Sequence, residues 1–287
     1  MNKFFIFVNE YKDVNLEKTK AIKQFLELRG KKCGYSTIKR VYEDEAEEAK
    51  VASLVPKGTD LVIVLGGDGT LIQVADLLAG KDIPLIGVNL GTIGYLAEVE
   101  KESVFDALEM ILSGKYKIEE RMMLDGKASI SGQEMRSVQA LNDIVIKRIS
   151  GIGADDFSIY VNDSFMYSVK ADGIIVSSPT GSTAYNLSAG GPIVAPYAET
   201  LIVTPICAHS ITARPIVLSK DDVIKVEHSD LGRGGDSKVQ VSFDGVTKMP
   251  LNWGDHITVK KALTRVRFVR INLDSFVKVI ANKLREV

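Results

Sequence analysis

Cysteine is scarce in this chain, with only Cys33 and Cys207 among 287 residues. Two thiols so far apart give neither the density of a disulfide-built secreted scaffold nor the clustered spacing of a metal site, and they fit reduced thiols in a cytoplasmic protein. Proline is also sparse at 8 residues, while 45% hydrophobic and 25% charged residues exclude wholesale disorder. Neither sign of charge dominates: 36 Lys+Arg face 37 Asp+Glu, a net of −1. With a pI near 6.4 there is no global electrostatic footprint for a nucleic-acid partner. Long apolar runs are missing too. The Phe4–Val8 run stops at Asn9 and Glu10, too short for an export signal. The charge-free stretch from Gly173 to Ala198 carries Pro179, Pro192, Pro196 and several glycines, which argues against a membrane span.

What is present divides into two textures. Through the first third, apolar runs alternate with helical patterns. Phe4–Val8 reads as a strand. Val14 to Arg29 reads as a helix through Ile22, Phe25 and Leu26, stopped by Gly30, and Lys32–Ile38 reads as a second strand. Tyr42–Lys50 is acid-rich and reads as a solvated face or loop. Leu61–Leu65 is an unbroken aliphatic run, the pattern of a strand buried on both faces of a parallel sheet. A helical pattern through Leu71, Val74, Leu77 and Leu78 follows, then a strand at Pro84–Val88 and a helix over Glu102–Leu112. Such alternation implies right-handed βαβ crossovers.

After about Arg121 short alternating segments separated by turn residues take over, with Asn162-Asp163 placed as a hairpin turn and further turn signals at Gly232–Asp236 and Asp244-Gly245. This is the pattern of two packed sheets. Asp274–Arg285 is helical again. The expectation is a mixed fold: an N-terminal parallel α/β domain over 1–121 to which 273–287 return, and a C-terminal all-β sandwich over 122–272.

Three segments carry candidate chemistry. Gly66-Gly67-Asp68-Gly69-Thr70 sits where a buried strand passes into a helix, at the carboxyl edge of the sheet where open α/β folds bind ligands. Glycines there let backbone N–H groups and a helix N-terminus approach phosphate oxygens. No Lys-Ser/Thr follows, so this is not a P-loop, and the Gly-x-Gly-x-x-Gly spacing of a dinucleotide turn fails. Asp68 beside a phosphate cradle would repel the phosphate unless it serves a metal or a proton transfer; the alternative is a helix-cap residue. The second segment is the charge-free stretch itself, whose Ser177–Ser188 portion is rich in hydroxyls and reads either as a packed turn before a short helix or as a neutral surface bonding a polar ligand, with Asp172 just ahead of it. The third, Asn142-Asp143, heads an apolar strand and taken alone resembles any turn. Cys207 and His209 lack metal spacing and read as structural.

Taken together, Gly66–Thr70, Asn142-Asp143 and Asp172 through Pro192 resemble the signature blocks of the NAD kinase family, and Gly91–Leu96 and Pro205–Ser210 resemble related segments. The resemblance runs from about Asp60 to Leu218. The first block is shared with diacylglycerol and sphingosine kinases; the Thr180–Tyr185 block is far more specific. The resemblance implies phosphorylation of the 2′-hydroxyl of the adenosine ribose of NAD, with ATP or polyphosphate as donor, giving NADP. It implies Asp68 as general base and Gly69, Asn142, Asp143, Lys170, Asp172, Thr183, Ala184, Tyr185, Asn186, Leu187 and Ser188 as NAD contacts, with Gly67, Thr70, Tyr95, Cys207 and Val246 as further candidates. Asp143 departs from the family's usual glutamate, shortening the reach by one methylene. Without a P-loop lysine, a divalent cation, Mg2+, is expected to neutralise the transferring phosphate, and no protein ligand is assigned to it. The family also implies a homodimer or homotetramer. A lipid kinase of the same superfamily and a catalytically silent NAD-binding regulator are the competing readings.

Overall fold

The structure is a computed structural model that describes residues 1–38, 51–91, 94–150, 153–229, 238–271 and 276–285. Tyr42–Lys50, Thr92-Ile93 and Gly232–Asp236, to which the sequence assigned a face, part of a related segment and a turn, lie outside the described residues. Two compact units emerge: Met1–Glu120 with Val266–Val287, and Arg121–Arg265. The return to the first unit falls at 266, earlier than the expected 273, because the last long strand runs unbroken through that point.

The first unit is built on parallel strands β1 (Lys3–Val8), β2 (Lys32–Thr37), β3 (Leu61–Gly66) and β4 (Leu85–Asn89), in the order β4-β3-β1-β2. The two-residue β5 (Val99–Glu100) extends it beside β4. Helices α1 (Glu17–Glu27), α2 (Asp68–Leu77) and α3 (Val104–Leu112) connect the strands. Phe4, Ile6, Val8, Leu61, Ile63 and Leu65 pack with Ile22 and Leu26 of α1 and Leu108 and Ile111 of α3. Strand residues between them, such as Val62 and Val64, are equally buried, so β3 is covered on both faces, as its unbroken aliphatic sequence required. The helix expected from Val14 starts only at Glu17. The Asp13 carboxylate accepts the backbone N–H groups of Lys18 and Thr19 at 2.9 Å, which fixes the first turn there, and Asn15 and Leu16 take positive φ ahead of it.

Neighbouring β1 and β3 send their chains to opposite sides of the sheet, β1 to β2 and β3 to β4. Their carboxyl ends therefore part at a topological switch point, the crevice in which open α/β sheets take ligands. Two loops flank it, Asn9–Asp13 after β1 and Gly66–Thr70 after β3. The backbone N–H of Asn9 donates to Leu65 O at 2.9 Å, joining the two at their base.

The second unit is antiparallel throughout its main pairings. One sheet joins β11 (Ser164–Ala171), β10 (Asp155–Val161), β15 (Ile224–Ser229) and β18 (His256–Arg270) in that order, with β6 (Lys117–Ile130) against β18 and the short β7 (Gln133–Glu134) and β8 (Val138–Ala140) against β6. The other runs β14 (Ile216–Ser219), β13 (Thr200–Ile206), β12 (Gly173–Ser177), β9 (Asp143–Ser150), β16 (Lys238–Phe243), β17 (Thr247–Leu251). Inward side chains of both, among them Ile144, Ile146, Phe157, Ile159, Ile174, Val176, Val226 and Val259, form one core, and the expected two-layer sandwich is what the chain folds into. Asn162 and Asp163 both adopt positive φ, the turn their sequence predicted between β10 and β11. On the outer face of the second sheet Val145, Ile175 and Ile206 form a small apolar patch against which Ala189 packs. That contact seats the hydroxyl-rich segment on the sheet. Helix α4 (Tyr185–Ser188) is a single turn within it, and α5 (Phe276–Arg285) ends the described chain. Among the described residues no helix is long and apolar enough to cross a membrane.

Candidate active site

In the first unit Gly67 is the N-cap of α2 and Asp68 its first residue, and no side chain caps the helix. The leading amides of an α-helix have no intrahelical acceptor, so this end points bare N–H groups at the crevice. The Asp68 side chain does not cap them. It folds towards the segment after β4, where Oδ2 accepts the Tyr95 N–H at 2.7 Å and Oδ1 accepts those of Leu96 at 3.2 Å and Ala97 at 3.1 Å. A Cβ on Gly94 would lie 2.2 Å from that carboxyl, so only glycine allows the approach. A carboxylate has about four lone-pair sites; three are occupied here, leaving one direction open to a ligand proton. Gly69 is exposed beside it, Thr70 is buried beneath the turn, and Tyr95 contributes its N–H while staying half-buried.

The second unit gathers most of the remaining predicted residues. Asn142 and Asp143, 9% and 6% exposed, stand at the start of β9. Asp244, at the tip of the β16–β17 hairpin, accepts three consecutive backbone N–H groups from this segment: Leu141 at 2.7 Å, Asn142 at 2.8 Å and Asp143 at 3.0 Å. From the other side Ser178 N–H donates to Asn142 O at 2.8 Å and the Ser178 hydroxyl to Leu141 O at 2.5 Å. Gly181 lies so close that a Cβ would meet Asn142 O at 2.1 Å. The backbone of the pair is thus clamped from both sides, while the Asn142 Oδ1 atom is buried without a partner. An orphaned buried acceptor is costly unless a ligand donor completes it.

Two carboxyl groups share this pocket wall. Burial pushes the Asp143 carboxyl up to about 7, and the neighbouring Asp244 adds to the effect. Burial also raises Asp244, against the pull of its three N–H bonds. Those bonds stabilise the charged form of Asp244, and among the described residues none reaches the Asp143 carboxyl, so the shared proton belongs on Asp143.

Tyr185 lies near enough to Cys207, Asp143 and Asp172 that their negative charges help burial to raise its hydroxyl pKa. The Lys147 ammonium stands 5.8 Å from its ring centroid. Asp172 reaches the Arg148 guanidinium at 3.6 Å, and Lys170 pairs instead with Asp156 at 3.8 Å. Thr183 and Ala184 are half-buried, and Ser188 is exposed beside half-buried Leu187. Cys207 is exposed with φ +47, and Val246 is exposed on the hairpin after Asp244.

Asn186 turns its amide into the fold. Its side chain, 0% exposed, donates to Ser182 O and Pro192 O, both at 3.1 Å, and accepts the Thr204 hydroxyl at 2.7 Å. An amide spent on three internal bonds holds the segment in shape and has little left for a ligand. Asp244 had no part in the site read from the sequence, because Asp-Gly is ordinary turn chemistry. Only the pairing of β16 with β9, with Phe243 opposite Ile144, brings it to the clamp. Lys12, Lys147 and Arg148 had no local signal either.

Comparison with known proteins accounts for nearly the whole chain. Residues 4–116 match the family model of the ATP-NAD kinase N-terminal domain and residues 141–271 that of the ATP-NAD kinase C-terminal domain. The NAD kinase of Lachnoclostridium phytofermentans is 41% identical over 285 residues, 99% of each chain. That of Caldanaerobacter subterraneus is 37% identical over the full length of both. Among solved structures, yeast NADH kinase complexed with NADH superposes with a TM-score of 0.82 at 22% identity, covering 99% of this chain and 87% of its own. An NAD kinase from Archaeoglobus fulgidus in complex with ATP gives 0.77 at 22% identity, covering 99% of both chains. These two likenesses establish the fold. With the sequence matches over both units, the chain belongs to the NAD kinase family.

Proposed function

We propose that this protein transfers the γ-phosphoryl group of ATP to the 2′-hydroxyl of the adenosine ribose of NAD, forming NADP. The observation that carries the reading is the clamped Asn142-Asp143 pair, with its unpartnered Asn142 Oδ1, beside the Tyr185 segment. A lipid kinase has no use for such a polar wall, whereas a dinucleotide offers donors and acceptors to it. The NAD kinase family membership and a relative's complex with ATP support the two substrates.

On this reading the bare amides at the start of α2 receive donor phosphate oxygens, and the open lone pair of Asp68 takes the ribose proton late, as its oxygen bonds to phosphorus. Among the described residues no cluster of three His, Cys, Asp or Glu side chains could cage a metal. Asp68 spends both oxygens on backbone amides. The donor set therefore fits a cation carried in by the phosphates and their waters, Mg2+, which would supply charge neutralisation. Inorganic polyphosphate offers the same anionic chain and is a candidate donor. Assembly as a homodimer or homotetramer in the cytoplasm belongs to the same proposal.

The test is incubation with NAD and MgATP, coupled to an NADP-specific dehydrogenase. Coupled reduction is expected. Radiolabel from ATP appearing only in lipid would select a lipid kinase, and stabilisation by NAD without product would select a regulator.

A further inference from the structure

The cation missing from the glycine turn comes from another loop. Lys12 lies in the turn after β1, where its backbone N–H donates to Asn9 O at 3.0 Å. Its ammonium reaches across the switch point to the glycine turn. A Cβ built on Gly67 would lie 2.9 Å from Lys12 Nζ, and one on Gly91, after β4, 3.6 Å from it. Lys12 Nζ thus stands above the N-cap of α2, between the ends of β3 and β4. Among the described residues no hydrogen bond or ion pair of that ammonium is found, although the chain carries 37 carboxylate side chains.

The end of β4 holds a second unmet group. Asn89, the register partner of Gly66, is 4% exposed; its Oδ1 accepts the Gly91 N–H at 2.9 Å, but its buried Nδ2 has no partner. The loops are also tied together, since Asn9 Nδ2 donates to Thr70 Oγ1 at 3.5 Å. A free ammonium and the bare helix N–H groups meet at Gly67, with an orphaned amide donor at the end of the neighbouring strand β4, an arrangement that suits an anion.

We propose that Lys12 is a phosphate-binding residue, taking the part of the absent P-loop lysine by holding the polyphosphate chain of the donor over Gly67. This rests on the reading of the glycine turn as the donor site, but not on NAD as the acceptor. It also divides the neutralising work: a fixed cation of the protein shares it with the metal ion that travels with the phosphates.

The test uses the full-length protein and inorganic tripolyphosphate, a probe that carries no nucleoside and needs no turnover. Calorimetric titration of the wild type, Lys12→Met and Lys12→Arg is compared, with thermal unfolding as the check on folding. Lys12 is exposed, so its variants should melt with the wild type. Lys12→Met should bind tripolyphosphate about tenfold to a hundredfold more weakly, the size of one charge-assisted hydrogen bond, and Lys12→Arg within about threefold of the wild type. In the coupled assay Lys12→Met should raise KM for ATP and leave KM for NAD unchanged. Equal tripolyphosphate affinity in Lys12→Met and wild type, or no binding by the wild type, would overturn the proposal. Retained tripolyphosphate binding in a protein that makes no NADP would instead overturn the acceptor assignment and leave Lys12 in place.

Discussion

The two units treat a buried or half-buried carboxylate in opposite ways. In the first, Asp68 is met by the backbone N–H groups of Tyr95, Leu96 and Ala97, with the Lys12 ammonium over the adjoining turn. In the second, Asp143 faces another acid, Asp244, and holds a proton near neutrality. The first arrangement builds a polar, charge-bearing crevice open to anionic phosphates. The second builds a wall of amides and hydroxyls in which two acids share a proton, suited to the uncharged parts of a nucleotide. On the proposed function, the first suits a phosphate donor and the second the uncharged parts of the acceptor.

Removing the carboxylate charge of the first unit should have the largest effect. Asp68→Asn should lower turnover by about 10²–10⁴, the general-base range. Because an amide cannot accept from three N–H donors as the carboxylate does, it should also loosen the 95–97 segment and cost about 1–3 kcal/mol of stability. Steady-state rates and thermal melts measure the two together; a variant with wild-type turnover would remove Asp68 from the chemistry.

Next in size is the clamp of the second unit. Asp244→Ala leaves the N–H groups of Leu141, Asn142 and Asp143 without their acceptor. It should raise KM for NAD by about tenfold to a hundredfold while KM for ATP stays put. Equal rises in both constants would mean that the clamp does not serve one substrate alone.

The shared proton gives a third difference. The folded Asp143 carboxyl lies near 7, above its unfolded value near 4, so the folded state holds the extra proton between these limits. The stability this confers is fully present below about pH 4 and is lost as pH rises through about 7. Asp143→Asn should therefore raise Tm by about 3–10 °C at pH 8 and change it little at pH 4. A Tm difference that is flat across that range would show that Asp143 ionises freely in the fold.

The smallest effect belongs to Ser178→Ala, which removes the bond to Leu141 O and the acceptor of the Gly181 N–H at 3.2 Å. A loss of about 1–2 kcal/mol by chemical denaturation, with less than tenfold change in KM for NAD, is expected.

Much of this contrast was legible in the residues themselves. Leu61–Thr70 is local: an aliphatic strand, a glycine turn and a helix lie consecutively, and β3 and α2 follow that pattern. The Asn162-Asp163 hairpin is equally local. What escaped depends on partners distant in sequence. Asp244 becomes a clamp only through the β9–β16 pairing, and Lys12 meets Gly67 only because β1 lies beside β3. The amide of Asn186 turns inward through bonds to Ser182, Pro192 and Thr204, two of which lie too far along the chain for the local pattern to show. The start of α1 shifted because a single side chain, Asp13, outweighed the apolar periodicity at Val14.

Hydrogen exchange on the unmodified protein, with NAD alone and with tripolyphosphate alone, tests the division of labour most directly. NAD should slow exchange at 141–143 and 183–188, and tripolyphosphate should slow it at 67–71 and leave 141–143 and 183–188 unchanged. Protection of 141–143 or 183–188 by tripolyphosphate, or no protection there by NAD, would contradict the account.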